Sequence, residues 1–334
     1  MSAKTSVIAL AGRVRRFLAA FPLIPVGVLL IVLFSIIQPN FFSAANLVNV
    51  LTQASVLLIA ATGMTFVILT AGIDLSVGAM MFLASAFVAA TLEGGLWPVL
   101  VILLVPLLTV VLGAFNGTVV ATTGVPAMLV TLATLQVFRG IGGHLTEQQS
   151  LVLPDSVRFL GLGDLAGIPR AVWVAAVVVF AGAYVLKRTR FGRHVQALGS
   201  NPSAAWNAGL PVRGLLITVY AIAGLSAGIA SLVQVGRLGA VQPTLDVGFE
   251  LTVITAVVLG GASLSGGYGS VAGTAVGALL LTTVENGLVL SGASPYVFDI
   301  FRGAVLLIAI VGSDLPRRLL RASRRKGGEA AITP

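Results

Sequence analysis

Apolar runs of bilayer-spanning length follow one another from Phe17 to Val311, and this succession constrains the fold more than any single motif. Only 9% of the 334 residues are charged, against about 25% in a soluble domain. The mean hydropathy is +1.05. A polytopic all-α membrane protein follows, with no room for a separate soluble domain of even about 50 residues. The whole chain, 1–334, therefore reads as one transmembrane domain.

The runs number about ten. The first, Phe17 to Ile37, follows Lys4, Arg13, Arg15 and Arg16 and is longer than a signal-peptide core, so it reads as an uncleaved helix that Pro39 and Asn40 end. The next four are Asn46 to Thr70, Ala79 to Leu92, Trp97 to Val120 and Ala127 to Gly143. A polar loop, Glu147 to Pro169, precedes the sixth, Ala171 to Leu186. The last four are Leu215 to Val235, Phe249 to Leu264, Val271 to Leu290 and Tyr296 to Val311. The third and eighth are short for a straight crossing, which predicts broken or tilted helices.

Ten crossings put both termini and the loop Lys187 to Arg213 on one side. Those three segments hold four, five and six basic residues, 15 of the 20 Lys and Arg in the chain. The positive-inside rule makes that side cytoplasmic. The same placement accounts for the net charge of +9 without nucleic acid, because the basic residues flank apolar spans. There is no cysteine and only two histidines, so thiolate chemistry is excluded and no metal site is expected.

The basic loop, 187–213, carries a punctuated helix. Asn201 is a good N-cap, Pro202 suits the first turn, and Gly209 suits a left-handed end before Pro211. Two turns of helix are not stable alone in water, so this one needs a surface to lie on. Ala204, Ala205 and Ala208 form a small face suited to a groove in another protein. A charge placed at Ala205 is expected to act at that interface and leave the membrane core intact.

Two glycine-bounded breaks punctuate the spans. GIDLSVG, Gly72 to Gly78, matches GASLSGG, Gly261 to Gly267, at four of seven positions, and each lies between apolar helices. Matching breaks in two weakly related halves point to a transporter. Asp74 is placed to cap the helix that starts near Leu75 or Ser76.

Polar groups within the spans are costly in lipid and so face a bundle interior or a wet path, or pair with one another as helix-to-helix glue. They include Asp74, Asn116, Gln136, Arg139, Gln234, Glu250, Glu285, Asn286, Asp299 and Arg302. Asn116, Gln136, Gln234 and Asn286, with Glu285, are expected to line one central route, whose neutral amides suit a polyol. Asp299 and Arg302 have the spacing of a helical ion pair. No Walker A motif, HExxH or GxSxG occurs, so neither a catalytic site nor a bound cofactor is expected. The glycines of GGASLSGGYGS, Gly260 to Ser270, read as tight helix packing.

Three segments then identify a family. TAGIDLSVG at Thr70 to Gly78 resembles a signature of sugar ABC-importer permeases of the ribose, xylose and autoinducer-2 type. FGRHVQALGSNPSAAWNAGLPV, Phe191 to Val212, is similar to their cytoplasmic coupling region, and FELTVITAVVLGGASLSGGYGS, Phe249 to Ser270, to a second signature. The resemblance runs from Asn46 to Gly312, with departures at Thr255, where alanine is usual, and at Glu285, where a second asparagine is common. It implies a bacterial inner-membrane subunit that translocates a sugar, pairs with a second permease subunit (a homodimer), receives substrate from a periplasmic sugar-binding protein and docks on ABC ATPase subunits that hydrolyse ATP. Gly192, Gly199, Asn201, Pro202, Ala204, Ala205, Ala208 and Gly209 are then the ATPase-coupling residues. A permease for branched-chain amino acids is the alternative within the class; a membrane-embedded lipid enzyme lies outside it.

Overall fold

The computed structural model describes residues 24–244, 247–294 and 296–308. The amino tail with the start of the first run, Asp246, and the carboxyl tail with the end of the last run lie outside the described residues. Helix α1 is Ile24–Ile37, α2 Ala44–Leu69, α3 Val77–Glu93, α4 Pro98–Thr123 and α5 Ala127–Leu145. Helix α6 is Arg170–Arg188, α7 Arg190–Ser200, α8 Pro202–Asn207 and α9 Val212–Leu238. Helices α10, Phe249–Leu259, and α11, Val271–Leu290, follow, and residues 296–308 form α12.

Among the described residues five helices are long and apolar enough to cross a membrane: α2, α4, α6, α9 and α11. Helices α1, α3 and α10 are apolar but shorter. This is a helical fold of membrane type, with one departure from the all-α expectation. The polar loop carries strands of two residues. Asp164–Leu165 pairs with Ile168–Pro169 across Ala166 and Gly167, both at positive φ, and Leu151–Val152 pairs antiparallel with Ala240–Val241. Outside the apolar spans this backbone needs partners that no helix supplies, and short ladders provide them.

Helix α2 is the centre. Every residue from Ile59 to Leu69 is buried. Ser43 caps its start by accepting from the Asn46 amide at 3.3 Å. Helices α9, α11, α6 and α10 pack against it, although α4 and α6 turn most of their surface outward.

Three pairs of glycines four residues apart set the closest packing. Gly113 on α4 faces Gly224 on α9, while Gly117 lies against Ile217 and Tyr220 and Gly228 against Pro106 and Thr109. A side-chain carbon on Gly224 would run into the Thr109 carbonyl oxygen, and one on Gly113 into that of Tyr220. Gly273 and Gly277 on α11 bring that helix against Gly260 and the end of α10 in the same way. In lipid, helices gain little from hydrophobicity and associate through such close backbone approach. Gly224→Val must therefore force α9 away from α4, at no less than the roughly 1–3 kcal/mol of an overpacked core. Size-exclusion profiles in detergent should show loss of folded protein for Gly224→Val. They should show none for Gly303→Val, where the added carbon meets no atom within 4 Å.

Candidate functional site

The first break follows directly from the end of α2. Thr70 turns the chain by bonding its hydroxyl to the Val67 carbonyl at 2.8 Å, and Ala71 sits at φ 61°. Asp74 Oδ1 then accepts from both the amide (2.8 Å) and the hydroxyl (2.6 Å) of Ser76, the residue before α3. Asn116 Nδ2 on α4 donates to the same hydroxyl oxygen at 2.9 Å. Thr131 on α5 closes the other side. Its Oγ1 receives the Leu75 amide and reaches the Ile73 carbonyl, both at 3.1 Å. Asp74, Ser76, Asn116, Thr131 and Tyr220 are fully buried.

The second break, Gly260 to Ser270, is a set of tight turns. Gly261, Gly266 and Gly267 have positive φ, and the Ser263 amide bonds the Tyr268 carbonyl at 2.9 Å. Ser270 then caps α11 by accepting from the Gly273 amide at 3.0 Å. The two breaks touch: the Gly267 amide donates to the Leu69 carbonyl at the end of α2, at 2.9 Å. Gly78 is buried in the first turn of α3.

The basic loop comes to this same place. Thr189 caps α7 by accepting from the Gly192 amide at 3.2 Å, and Gly192, Val195, Leu198 and Gly199 form the buried face. A side-chain carbon on Gly199 would overlap the Leu69 carbonyl and the Gly267 amide, and Gly267 in turn abuts Ser200. The end of α7 therefore sits on the seam between both breaks. Helix α7 was not expected: the sequence reading placed one short helix in the loop. Its sign was readable: Phe191, Val195 and Leu198 recur at i, i+4 and i+7 among basic and polar residues, the pattern of an amphipathic helix.

Helix α8 has the expected caps. Asn201 Oδ1 accepts from the Ala204 amide at 3.0 Å, and Gly209 lies at φ 76°. Its orientation differs from expectation. Ala205 is 4% exposed and belongs to the chain's own core, so it is not available to a partner. With a period of about 3.6 residues, burying Ala205 turns Trp206 outward, and that indole is 61% exposed. Ala204 and Ala208 are exposed, and Pro202, Ser203, Trp206, Asn207 and Val212 surround a shallow hollow.

The polar residues expected on one route are not brought together. Asn116 belongs to the Asp74 cluster. Asn286 forms a reciprocal amide pair with Asn46, at 2.8 and 3.0 Å, which ties α11 to the start of α2. Gln136 is exposed on the outer face of α5. Gln234 and Glu285 do meet, in a cavity of about 520 Å³ at the end of α2 remote from the breaks. Amides occur in helices both as glue and as lining, and a sequence does not distinguish the two.

Helices α2, α9, α10, α11 and α12 wall this cavity through Gln53, Gln234, Arg237, Thr252, Thr282, Glu285, Asp299 and Arg302. The spacing of Asp299 and Arg302 does produce an ion pair, at 2.9 Å. Arg302 also donates to Thr252 Oγ1 at 2.6 Å and to the Gly248 carbonyl at 3.4 Å. Gln53, Thr131, Thr282 and Tyr220 are absent from the sequence-derived set. Thr282 had a readable sign, since it lies one turn before Glu285 on the same helix face.

The profile of the family described as "Branched-chain amino acid transport system / permease component" matches residues 46–310. The chain is 41% identical over 288 residues to the ribose import permease of Escherichia coli, covering 84% of this chain and 89% of that protein. It is 40% identical over 287 residues to the ribose import permease of Bacillus subtilis, covering 85% and 89%. A more distant relative is the autoinducer 2 import system permease of Photorhabdus laumondii, 33% identical over 280 residues and 84% of each chain. No solved structure matches.

The first break gives a direct test. Asp74→Ala removes the acceptor of two buried donors, a loss of about 1–3 kcal/mol for a buried group left unpaired. Asp74→Asn keeps an oxygen in that position and should cost less. Thermal melting in detergent should rank the midpoints wild type, Asn, then Ala; an equal midpoint for Ala and wild type would show that the cluster does not hold the break.

Proposed function

The chain belongs to the permease-component family of branched-chain amino acid transport systems, and from that premise we propose that it is the membrane-spanning subunit of an ABC importer that translocates a monosaccharide across the bacterial inner membrane. The observation that carries the sugar reading is the identity of about 40% to ribose import permeases over most of the chain. The family is described by branched-chain amino acids, but the relatives above are import permeases for ribose and autoinducer 2. Neither a catalytic motif nor a nucleotide loop occurs in the sequence, so ATP hydrolysis is assigned to a separate subunit.

The ten-crossing topology is part of this reading. Ten helices outside the basic loop are present among the described residues, α1 to α6 and α9 to α12. The segregation of basic residues supports cytoplasmic termini and a cytoplasmic loop. The match between Gly72–Gly78 and Gly261–Gly267 supports two related halves, and the second segment meets the helix end that precedes the first, where the Gly267 amide donates to the Leu69 carbonyl. A second copy of the chain completes the pathway, and a periplasmic binding protein delivers the sugar.

Residues 187–213 are proposed as the ATPase dock. The support is geometric: α8 presents an exposed indole and a hollow, and α7 connects it to the seam of both breaks. A push on α8 therefore reaches the end of α2 through closely packed backbone. Burial of Ala205 changes what substitutions there report. Trp206→Glu should leave membrane abundance unchanged and abolish co-purification with the ATPase, by an interface penalty of about 2–5 kcal/mol. Ala205→Glu should lower the abundance of the permease itself, because it puts an unpaired charge in the core.

Cysteine at Ser200 should react with impermeant reagents from the cytoplasmic side alone; labelling from outside would overturn the topology. The function as a whole is tested by reconstituting the chain with its ATPase and binding protein. Hydrolysis stimulated by ribose-loaded binding protein, with uptake, is the expected result, and stimulation by leucine in its place would move the reading to amino acids.

A further inference from the structure

Among the described residues, four buried side-chain oxygens lack a hydrogen-bond partner. Three of them belong to the first break: Asp74 Oδ2, Asn116 Oδ1 and the Tyr220 hydroxyl. All three residues are 0% exposed. They come to one place. The Ser76 hydroxyl lies 2.6 Å from Asp74 Oδ1 and 2.9 Å from Asn116 Nδ2, so it holds both side chains beside it. Tyr220 on α9 reaches the same break. A side-chain carbon on Gly72, two residues before Asp74, would stand 2.8 Å from its hydroxyl. Gly117, the residue after Asn116, also lies against the Tyr220 side chain. Asp74 is in no ion pair among the described residues; its bonds come from Ser76 and occupy one oxygen of the carboxylate.

We propose that Asp74 Oδ2, Asn116 Oδ1 and the Tyr220 hydroxyl oxygen bind one monovalent metal cation, of the sodium class, at the first break. A carboxylate sealed inside a membrane protein is costly unless an opposite charge accompanies it. The open atoms are all oxygens, the donors that suit hard cations, with no nitrogen or sulfur among them. One carboxylate balances one positive charge, whereas a divalent ion would leave a charge over at the same depth. A water molecule satisfies the same three oxygens but leaves the carboxylate unbalanced. A proton on Asp74 balances the charge but leaves the Tyr220 hydroxyl without a partner. The ion ties the start of α3 to α4 and α9. It thereby pins the break whose other flank, the end of α2, meets Gly267 and Gly199. The need for this cation comes from the break itself, whatever solute the chain carries.

The test is thermal melting of the full-length permease in detergent. The protein is purified throughout in choline chloride, then moved to sodium chloride at equal ionic strength and pH. The wild-type midpoint should rise by several degrees and saturate with sodium, as for any ligand that binds only the folded state. Asp74→Asn keeps an oxygen for Ser76 but removes the charge, and should lose the sodium response. Tyr220→Phe should keep the response, with the half-saturating concentration raised about tenfold by the lost oxygen contact. Glu93→Gln, at an exposed acid, should respond as wild type. Broadening of the sodium NMR line should follow the same order, and it reads binding directly where a variant melts too early to compare. Equal midpoints in choline and sodium, a midpoint that follows pH but not sodium, or a sodium response that survives in Asp74→Asn would each overturn the proposal.

Discussion

Inside a bilayer every amide and carbonyl must find a partner within the protein, and the fold depends on how two interrupted helices meet that demand. A continuous helix satisfies itself; a break does not. Here the residues around Asp74 leave the helical ladder, and lipid offers them nothing. The Thr131 hydroxyl supplies both a donor and an acceptor role between Ile73 and Leu75. Asp74 takes the Ser76 amide. The Leu69 carbonyl is met by the amide of Gly267, from the other break. The second break thus supplies a partner to the end of the helix that leads into the first.

That contact requires very close approach, which explains the glycines. Gly199, Gly266 and Gly267 stand where three backbone segments converge, and a methyl group at any of them would displace a peptide. The same principle operates at larger scale between α4 and α9 and between α10 and α11. Small residues let backbones touch, and contact between backbones leaves no lipid or water to fill the seam. The seam is therefore stiff, and a stiff seam transmits a displacement that a loosely packed one would absorb.

Sequence reading recovered the parts of this arrangement that are written locally. Span positions follow from hydropathy, the helix ends at Asn201 and Gly209 from residue type, and the breaks from glycine and aspartate set between apolar runs. It missed what tertiary contact decides. Helix α7 was legible in the helical spacing of Phe191, Val195 and Leu198, but its docking against the breaks, through Gly192 and Gly199, was not. Ala205 belongs to the same run of small residues as Ala204 and Ala208, and only the docking of α8 onto α7 shows which one turns inward. Asn116, Asn286 and Gln136 are all amides within spans, yet they serve the Asp74–Ser76 cluster, an interhelical pair and an outer surface; that cluster holds Ser76 and does not cap α3 as the sequence suggested. Nothing in the side chain distinguishes those uses; the neighbours do.

Helix α2 joins the two ends of the molecule that carry its chemistry. Gln53 faces the polar cavity near its start, and the Leu69 carbonyl lies at the seam of the breaks. Sixteen residues of helix separate them, about 24 Å at 1.5 Å per residue. From Ile59 onward this helix is buried on every side, so it cannot bend away from a load at one end. Its neighbours at the cavity are α9, α10 and α11, and α10 and α11 are the helices that the second break connects. A shift of α7 against the seam therefore bears on α2 directly and on α10 and α11 through Gly267. Those three helices supply Gln53, Thr252, Thr282 and Glu285 to the cavity wall. The basic loop and the cavity wall are thus joined by one continuous run of packed helices, α2, α10 and α11, with the Gly267–Leu69 contact at its end.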